Sequence, residues 1–289
     1  MNIIHEEENL KKKDHLFKNL INSNFFKHQR LDFSFEDKFT DYENWKWIVE
    51  QYDAYLKETN HVEIVPKIIH QIWIGSRVPK KYDKWRQSWL KYNPEFEYNL
   101  WDEKKILDIG LINEKKFLES KNVGIKSDIA RYELLYRFGG IYVDTDFEAI
   151  KPIDKKLLCK PFVGGQLHNH STEIASGILI CKPKLSLLKI LIDSLPNYKD
   201  NMNPVEILNY SGTKYMSKIV FKNKNILNEI VICPSQYFFP WPNTMIKSKK
   251  NRYSLMTKKT LAIHHWEMAW IKKSKFEKFI RFLISIISK

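Results

Sequence analysis

The spacing of hydrophobic positions changes along this chain, and each change marks an element. Trp45, Ile48, Tyr52, Tyr55 and Leu56 recur at helical spacing in an otherwise polar stretch, which predicts a helical extension over residues 1–62. Past Pro66, the run Lys67-Ile68-Ile69-His70-Gln71-Ile72-Trp73-Ile74-Gly75 is apolar and rich in isoleucine, and predicts a first strand ending at Gly75. Residues 80–93 predict a helix with Trp85 and Trp89 on one face, broken by Asn93-Pro94. Tyr98-Asn99-Leu100-Trp101 predicts a second strand. Residues 125–138 predict a helix carrying Asp128 and Arg131 on neighbouring turns, with Gly139-Gly140 to end it. Ile141 to Val143 and Ser176 to Cys181 predict a third and a fourth strand, 184–195 another helix, and Leu261 to Trp266 a late strand. This alternation implies an α/β domain over 63–270, with a single mainly parallel sheet flanked by helices. Ligands of such sheets bind beyond the carboxyl ends of the strands. Trp73, an aspartate pair and a histidine pair fall there.

Residues 271–289 form a third region. Phe276, Phe279, Ile280, Leu283, Ile284 and Ile287 recur at helical spacing, with Lys272, Lys273, Lys275, Lys278 and Arg281 between them. A basic amphipathic helix of this kind is a candidate for peripheral membrane association. Its alternatives are packing on the domain or on a second copy of the chain, as a homo-oligomer.

Composition narrows the class. The chain has 289 residues, 43% hydrophobic and 14% aromatic, enough for a substantial core and not the composition of a disordered chain. Lys and Arg outnumber Asp and Glu by 48 to 34, which suits an anionic partner. The basic residues are spread along the chain, however, and their abundance beside Asn and Ile equally fits AT-rich coding. Cys159, Cys181 and Cys233 are odd in number and form no Cys-x-x-Cys, so neither a disulfide framework nor a zinc site is indicated. The charged N-terminus lacks the apolar core of a signal peptide. No apolar run reaches the roughly 18 residues a membrane span requires. The expected location is the cytoplasm, including the cytoplasmic face of a membrane.

The candidate chemistry centres on Asp144-Thr145-Asp146, which follows the strand-like Gly140-Ile141-Tyr142-Val143. Paired carboxylates at a buried strand end suit Mg²⁺ or Mn²⁺ shared with phosphate oxygens. His264 and His265 are further candidates, since imidazole joins oxygen donors around Mn²⁺. Adjacent strand residues face opposite ways, so at most one of the two reaches a given cation. Trp73 offers a flat surface for a nucleobase, although a tryptophan there serves a core equally well. There is no Gly-x-Gly-x-x-Gly and no Walker loop.

The ordered set Ile68–Gly75, Ser127-Asp128-Ile129-Ala130-Arg131-Tyr132, Gly139–Asp146 and Ile263-His264-His265-Trp266 resembles glycosyltransferase family 32. These DXD-containing sugar-binding transferases include mannosyltransferases and bacterial capsule and lipopolysaccharide enzymes. The same set is similar to the glucosyltransferase domains of large clostridial toxins. The resemblance covers roughly residues 65–270. It implies a GT-A fold, a nucleotide-sugar donor with a UDP-sugar favoured and GDP-mannose as the other choice, Mn²⁺ or Mg²⁺, a glycan acceptor, and retention of anomeric configuration. It further implies Asp128, Arg131 and Asp144 as catalytic residues, and Asp146, His264 and Asp144 as the metal set, with His265 second to His264. Trp73, Ile72, Asp128, Arg131, Tyr142, Asp144, Trp266 and Trp270 would line the donor pocket.

The chain departs from the family on the acceptor side. Ala175-Ser176-Gly177 stands where many relatives have an Asn shortly before the glycine, leaving Gln166, His168, Asn169 or Glu173 to replace it. Ser211-Gly212-Thr213 matches the family's Thr-Gly-Pro-like turn only loosely. A toxin-like transferase acting on a protein, and a non-catalytic basic scaffold or nucleic-acid binder, are the competing readings. The Asp128, Arg131, Asp144 and Asp146 set argues against nucleic acid as a partner.

Overall fold

The structure, a computed structural model, describes residues 20, 22–28, 39–59, 62–167, 172–227, 229–246, 248 and 250–271. The amphipathic stretch after Ile271, most of the N-terminal extension, and His168 and Asn169 lie outside the described residues.

The short helix α1 (Asn24–Lys27) and the long α2 (Phe39–Lys57) precede the sheet. Trp45, Ile48, Tyr52 and Tyr55, the positions with helical spacing, are the buried face of α2. They merge with the same core that packs the sheet, and the hydroxyls of Tyr52 and Tyr237 lie 2.9 Å apart.

The strands are β1 (Ile68–Ile72), β2 (Glu97–Trp101), β3 (Gly140–Val143), β4 (Phe147–Ala149), β5 (Phe162–Gln166), β6 (Ile174–Cys181), β7 (Val231–Cys233) and β8 (Ala262–His264). Among the described residues, six of these form one sheet in the order β2-β1-β3-β6-β5-β7. β1 pairs in parallel with β2 and β3, and β5 with β7, whereas β6 runs antiparallel to both its neighbours. Five strands therefore share one direction and β6 alone is reversed. The sheet is mixed α/β and mainly parallel, as expected. The reversal arises because β5 and β6 form an antiparallel hairpin, which returns the chain against β3.

The late strand corrects the sequence reading. β8 does not extend the main sheet but pairs antiparallel with β4, with Phe147 opposite His264. This two-stranded ribbon carries residues on either side of the sheet end where β3 stops.

The helices are α3 (Asp83–Tyr92), α4 (Glu103–Asp108), α5 (Glu114–Glu119), α6 (Val123–Phe138), α7 (Ser186–Asp193), α8 (Pro204–Tyr210) and α9 (Thr213–Lys222). The most consequential is α6, whose start is capped by the Asn122 side chain accepting from the amides of Gly124 and Ile125. Its end is Gly139 at φ +64°, followed by Gly140 at φ +93°. Both conformations favour glycine. A Cβ at Gly140 would also lie 2.5 Å from the Ile68 carbonyl oxygen, so the close approach of β3 to β1 excludes any other residue. The Gly-Gly pair thus fixes how α6 feeds β3, and with it the position of Asp128 relative to Asp144.

Among the described residues, no helix is long and apolar enough to cross a membrane.

Candidate active site

β3 ends at Val143, and the Asp-x-Asp pair forms the turn that leaves it, with the Phe147 amide donating to the Asp144 carbonyl at 3.1 Å. The reversed strand β6 starts earlier than β3 ends, so Ser176 and Gly177 lie directly beside this turn. The Asp144 amide donates to the Gly177 carbonyl at 2.8 Å. From the sheet interior, the fully buried Gln71 donates its amide to the Asp144 carbonyl at 3.2 Å. A Cβ at Gly177 would meet the Asp144 carboxylate at 2.8 Å, so glycine here makes room for that side chain.

Arg131 on α6 reaches the same point. Its guanidinium lies 3.1 Å from Asp128 and 3.3 Å from Asp144, donates to the Ser176 carbonyl at 2.6 Å, and covers the Tyr142 ring at 4.5 Å. Burial opposes its charge, but Tyr142, Asp144 and Asp128 more than offset this and hold it protonated. Asp128 is pushed up to about 6 by burial, against the opposing pull of Arg131 and of the Ser211 hydroxyl, which donates to it at 2.8 Å. Buried Asp128 and Arg131 and half-buried Asp144 thus compensate one another. Such a cluster fixes geometry, because removal of one member strands the others in a poorly solvating interior.

The second half of the Asp-x-Asp pair faces the ribbon. The Asp146 carboxylate lies 3.1 Å from His264 Nε2 and accepts from the Glu267 amide at 2.8 Å. Burial raises its affinity for a proton, but His264 and the amides outweigh that and hold it below the usual carboxylate range. Asp144 moves the other way, raised by burial and by the nearby Asp146 against the pull of Arg131. His264 is itself clamped, stacked on Phe147 at 4.4 Å and 12° with Trp266 at 4.0 Å on another side.

Ligand atoms of Asp144, Asp146 and His264 all lie within 4.8 Å of one another. Two carboxylates and an imidazole, with like charge raising the proton affinity of one carboxylate, fit a divalent cation of the Mg²⁺ or Mn²⁺ class. The geometry also separates the histidine pair. His264 faces the carboxylates, whereas His265 turns to the opposite face of the ribbon and meets Glu148 at 2.9 Å.

All this opens into a cavity of about 650 Å³, within the size range of small-molecule sites. Trp73, Ile72, Asp128, Arg131, Asp144, Asp146, His264, Trp266 and Trp270 line it. Trp73 is half-buried in the lining, with its ring 4.8 Å from that of Tyr82. Trp270 lies over the start of α6, where a Cβ at Gly124 would come within 3.0 Å of it.

Two sequence expectations do not fit this geometry. Tyr142 is not among the lining residues: it is buried beneath Arg131, and its hydroxyl donates to Asp144 at 2.6 Å, so it supports the carboxylate without facing a ligand. Gln166 is buried at the end of β5 and does not line the cavity, whereas Glu173 does, 3.9 Å from Lys214.

Other lining residues carried little signal. Ser176 acts through its carbonyl and Glu267 through its amide, functions that any side chain permits. Ser211 is different. It stands in the loosely matching Ser211-Gly212-Thr213 turn, and its hydroxyl on Asp128 shows what that turn contributes.

A mainly parallel sheet that gathers an Asp–Arg–Asp cluster and a carboxylate–imidazole cluster around one cavity has the parts of an enzyme that transfers sugars. Comparison with known proteins points to glycosyltransferases. Residues 79–162 match the family described as "Glycosyltransferase sugar-binding region containing DXD motif", a span that includes Asp128, Arg131, Asp144 and Asp146. The chain is 28% identical to "Uncharacterized glycosyltransferase L373" of Acanthamoeba polyphaga mimivirus, over 61% of this chain and 74% of that protein. It is 32% identical to "Inositol phosphoceramide mannosyltransferase 3" of Schizosaccharomyces pombe, over 36% of this chain and 31% of that protein. The chain therefore spans most of the viral relative but only about a third of the fungal one. Among solved structures it is similar to "PaToxG Glycosyltransferase", at 16% identity and TM-score 0.44, covering 57% of this chain and 72% of that one.

Proposed function

We propose that the chain is a divalent-cation-dependent, retaining glycosyltransferase that moves a hexose from a nucleotide sugar to a hydroxyl of a glycan acceptor. The acceptor is of the kind presented by capsule, lipopolysaccharide or another surface polysaccharide. The observation that carries this reading is the convergence of Asp144, Asp146 and His264 beside the Asp128–Arg131 pair at the floor of one cavity.

In this reading Trp73 stacks on the nucleobase, for which roughly 1–3 kcal/mol is typical of base–aromatic stacking. Asp128 and Asp144 accept hydrogen bonds from sugar or ribose hydroxyls, and Arg131 holds both carboxylates in place while adding positive charge near the reacting carbon. Asp146 and His264, with Asp144, hold the cation. A divalent ion there supplies charge against the departing diphosphate. Trp266 and Trp270 exclude water above it.

No further carboxylate among the lining residues stands clear of these roles except Glu173 and Glu267. Glu173 faces Lys214, and Glu267 pairs with Lys81. Neither is free to act as a covalent nucleophile. Retention then follows from attack on the face the diphosphate leaves, with the acceptor hydroxyl passing its proton to the leaving phosphate.

The fungal relative is named a mannosyltransferase, which adds weight to mannose beside the UDP-hexose expectation. The deciding experiment incubates the chain with a panel of UDP- and GDP-sugars and Mn²⁺ and follows nucleotide release. Release from one donor, lost on chelation, is the expected result. A chain that neither binds nor cleaves any donor fits the scaffold reading instead.

A further inference from the structure

The histidine that does not face the carboxylates sits in an unusually complete environment. His265 is 5% exposed. Its Nδ1 lies 3.0 Å from an Arg252 guanidinium nitrogen, and its Nε2 lies 2.9 Å from Glu148 Oε2. A guanidinium only donates. Nδ1 is therefore the acceptor, the ring proton is on Nε2, and Nε2–H donates to Glu148. Tyr253 donates to the same Glu148 oxygen at 2.9 Å. The ring also stacks on Trp85 at 4.2 Å and 14°.

These contacts bear on the cation cluster through short covalent paths. Glu148 is two residues from Asp146 on β4, and His265 follows His264 at the end of β8. The His265 amide donates to the Asp146 carbonyl at 2.9 Å, closing the ribbon where its two cluster residues face each other. Trp85 continues the contact toward the lining of the cavity, 5.4 Å from Tyr82, which in turn lies 4.8 Å from Trp73.

The geometry points to His265 as a positioning residue for the cation cluster: the Arg252–His265–Glu148 relay, braced on Trp85, holds the ribbon so that Asp146 and His264 converge. His265 is not a ligand. This rests on the cation reading of Asp144, Asp146 and His264 given above. Outer residues that orient metal ligands are commonly worth about 10–100-fold in metal affinity.

The test is Mn²⁺ binding to the full chain without donor, read as loss of the free-ion signal in electron paramagnetic resonance, with thermal unfolding followed in parallel. His265→Phe keeps a flat ring against Trp85 but removes both hydrogen bonds. His265→Gln restores one acceptor and one donor. The expected result is a Kd raised about tenfold or more by His265→Phe and kept within about threefold of the parent by His265→Gln. An unchanged Kd in His265→Phe, with only a lower Tm, overturns the inference in favour of a purely structural role. Loss of binding in His265→Gln as complete as in Asp146→Asn overturns it in favour of direct ligation. Should His265→Phe not fold, Glu148→Gln takes its place. It weakens the acceptor that His265 and Tyr253 share and is expected to raise Kd about threefold or more, and no change would overturn the inference. If the parent chain binds no Mn²⁺, the cation reading itself falls and this inference falls with it. That outcome is distinct from normal Mn²⁺ binding that the variants leave unmoved.

Discussion

The floor of the cavity and its aliphatic wall are built on opposite principles. At the floor, Asp128, Arg131 and Asp144 are tied to one another and to Ser211, Ser176, Tyr142 and Gln71. The aliphatic wall carries Leu167, Val205 and Leu208, with Lys214 and Glu173 3.9 Å apart as its charged pair. Fixed charge suits a ligand whose shape is constant and whose reacting carbon must be placed closely, as a nucleotide sugar's must. A wall of half-buried aliphatic side chains discriminates gently, since a methylene more or less in such a surface is worth only about 1–3 kcal/mol. In the proposed reading the floor takes the donor and the aliphatic wall meets the acceptor.

The largest effect that tests this contrast is on stability. Arg131→Met leaves buried Asp128 and half-buried Asp144 without their cation, and is expected to cost roughly 3 kcal/mol, measured by urea unfolding. A loss under about 1 kcal/mol, the level of an exposed pair, would mean the floor is more solvated than its geometry indicates.

A second test concerns the strand beneath the floor. His70 is buried, donates from Nε2 to the Gly139 carbonyl at 2.9 Å and accepts from Trp101 at 3.0 Å. Burial lowers its pKa from 6.5 to about 4. Between those values the unfolded chain binds a proton that the folded chain refuses, so stability rises with pH there and is lost as pH falls from 6.5 toward 4. The expected contribution is at most about 3 kcal/mol. His70→Gln should flatten that part of the stability profile, and an unaltered slope would assign the pH dependence to other groups.

Smaller changes separate the two regions by kinetics. Gly177→Ala drives a methyl against the Asp144 carboxylate. It is expected to reduce kcat/KM for donor cleavage roughly 10–100-fold, as displacement of about 1 Å at a reacting centre does. Leu208→Ala in the aliphatic wall should weaken transfer to acceptor by about tenfold or less while leaving donor hydrolysis unchanged. If it reduces hydrolysis as well, Leu208 serves the donor and the division between floor and wall is misplaced.

Much of the floor was legible in the sequence because its residues sit where pattern is strongest. β1, β3 and α6 have unambiguous periodicity, and Gly139-Gly140 joins two of them in the only way its backbone angles allow. Asp128, Arg131, Asp144 and Asp146 could be placed from spacing and family resemblance together. For the histidine pair the residues alone left both open, and the family resemblance only ranked His264 ahead of His265. Alternation says the two face opposite ways, but which one faces the carboxylates depends on β8 pairing with β4, a contact between residues more than 100 positions apart. Tyr142 was misplaced for a related reason. Its neighbour Asp144 faces the cavity, while the tyrosine ring is covered by Arg131 from α6. The reversed direction of β6 was equally hidden, because it depends on β5, whose Gly164-Gly165 pair breaks the register of the hairpin. The aliphatic wall is written in ordinary residues, which carry no chemical signature.

The central claim is that the Asp-x-Asp turn and His264 bind a nucleoside diphosphate through a divalent cation. Calorimetric titration of UDP and GDP into the chain, with and without Mn²⁺, tests it most directly, with Asp146→Asn alongside. The account predicts that one nucleotide binds the parent chain at least about tenfold more tightly with Mn²⁺, and that Asp146→Asn abolishes this gain while its Tm stays near the parent's. Equal binding with and without Mn²⁺, or a gain that survives Asp146→Asn, would contradict it.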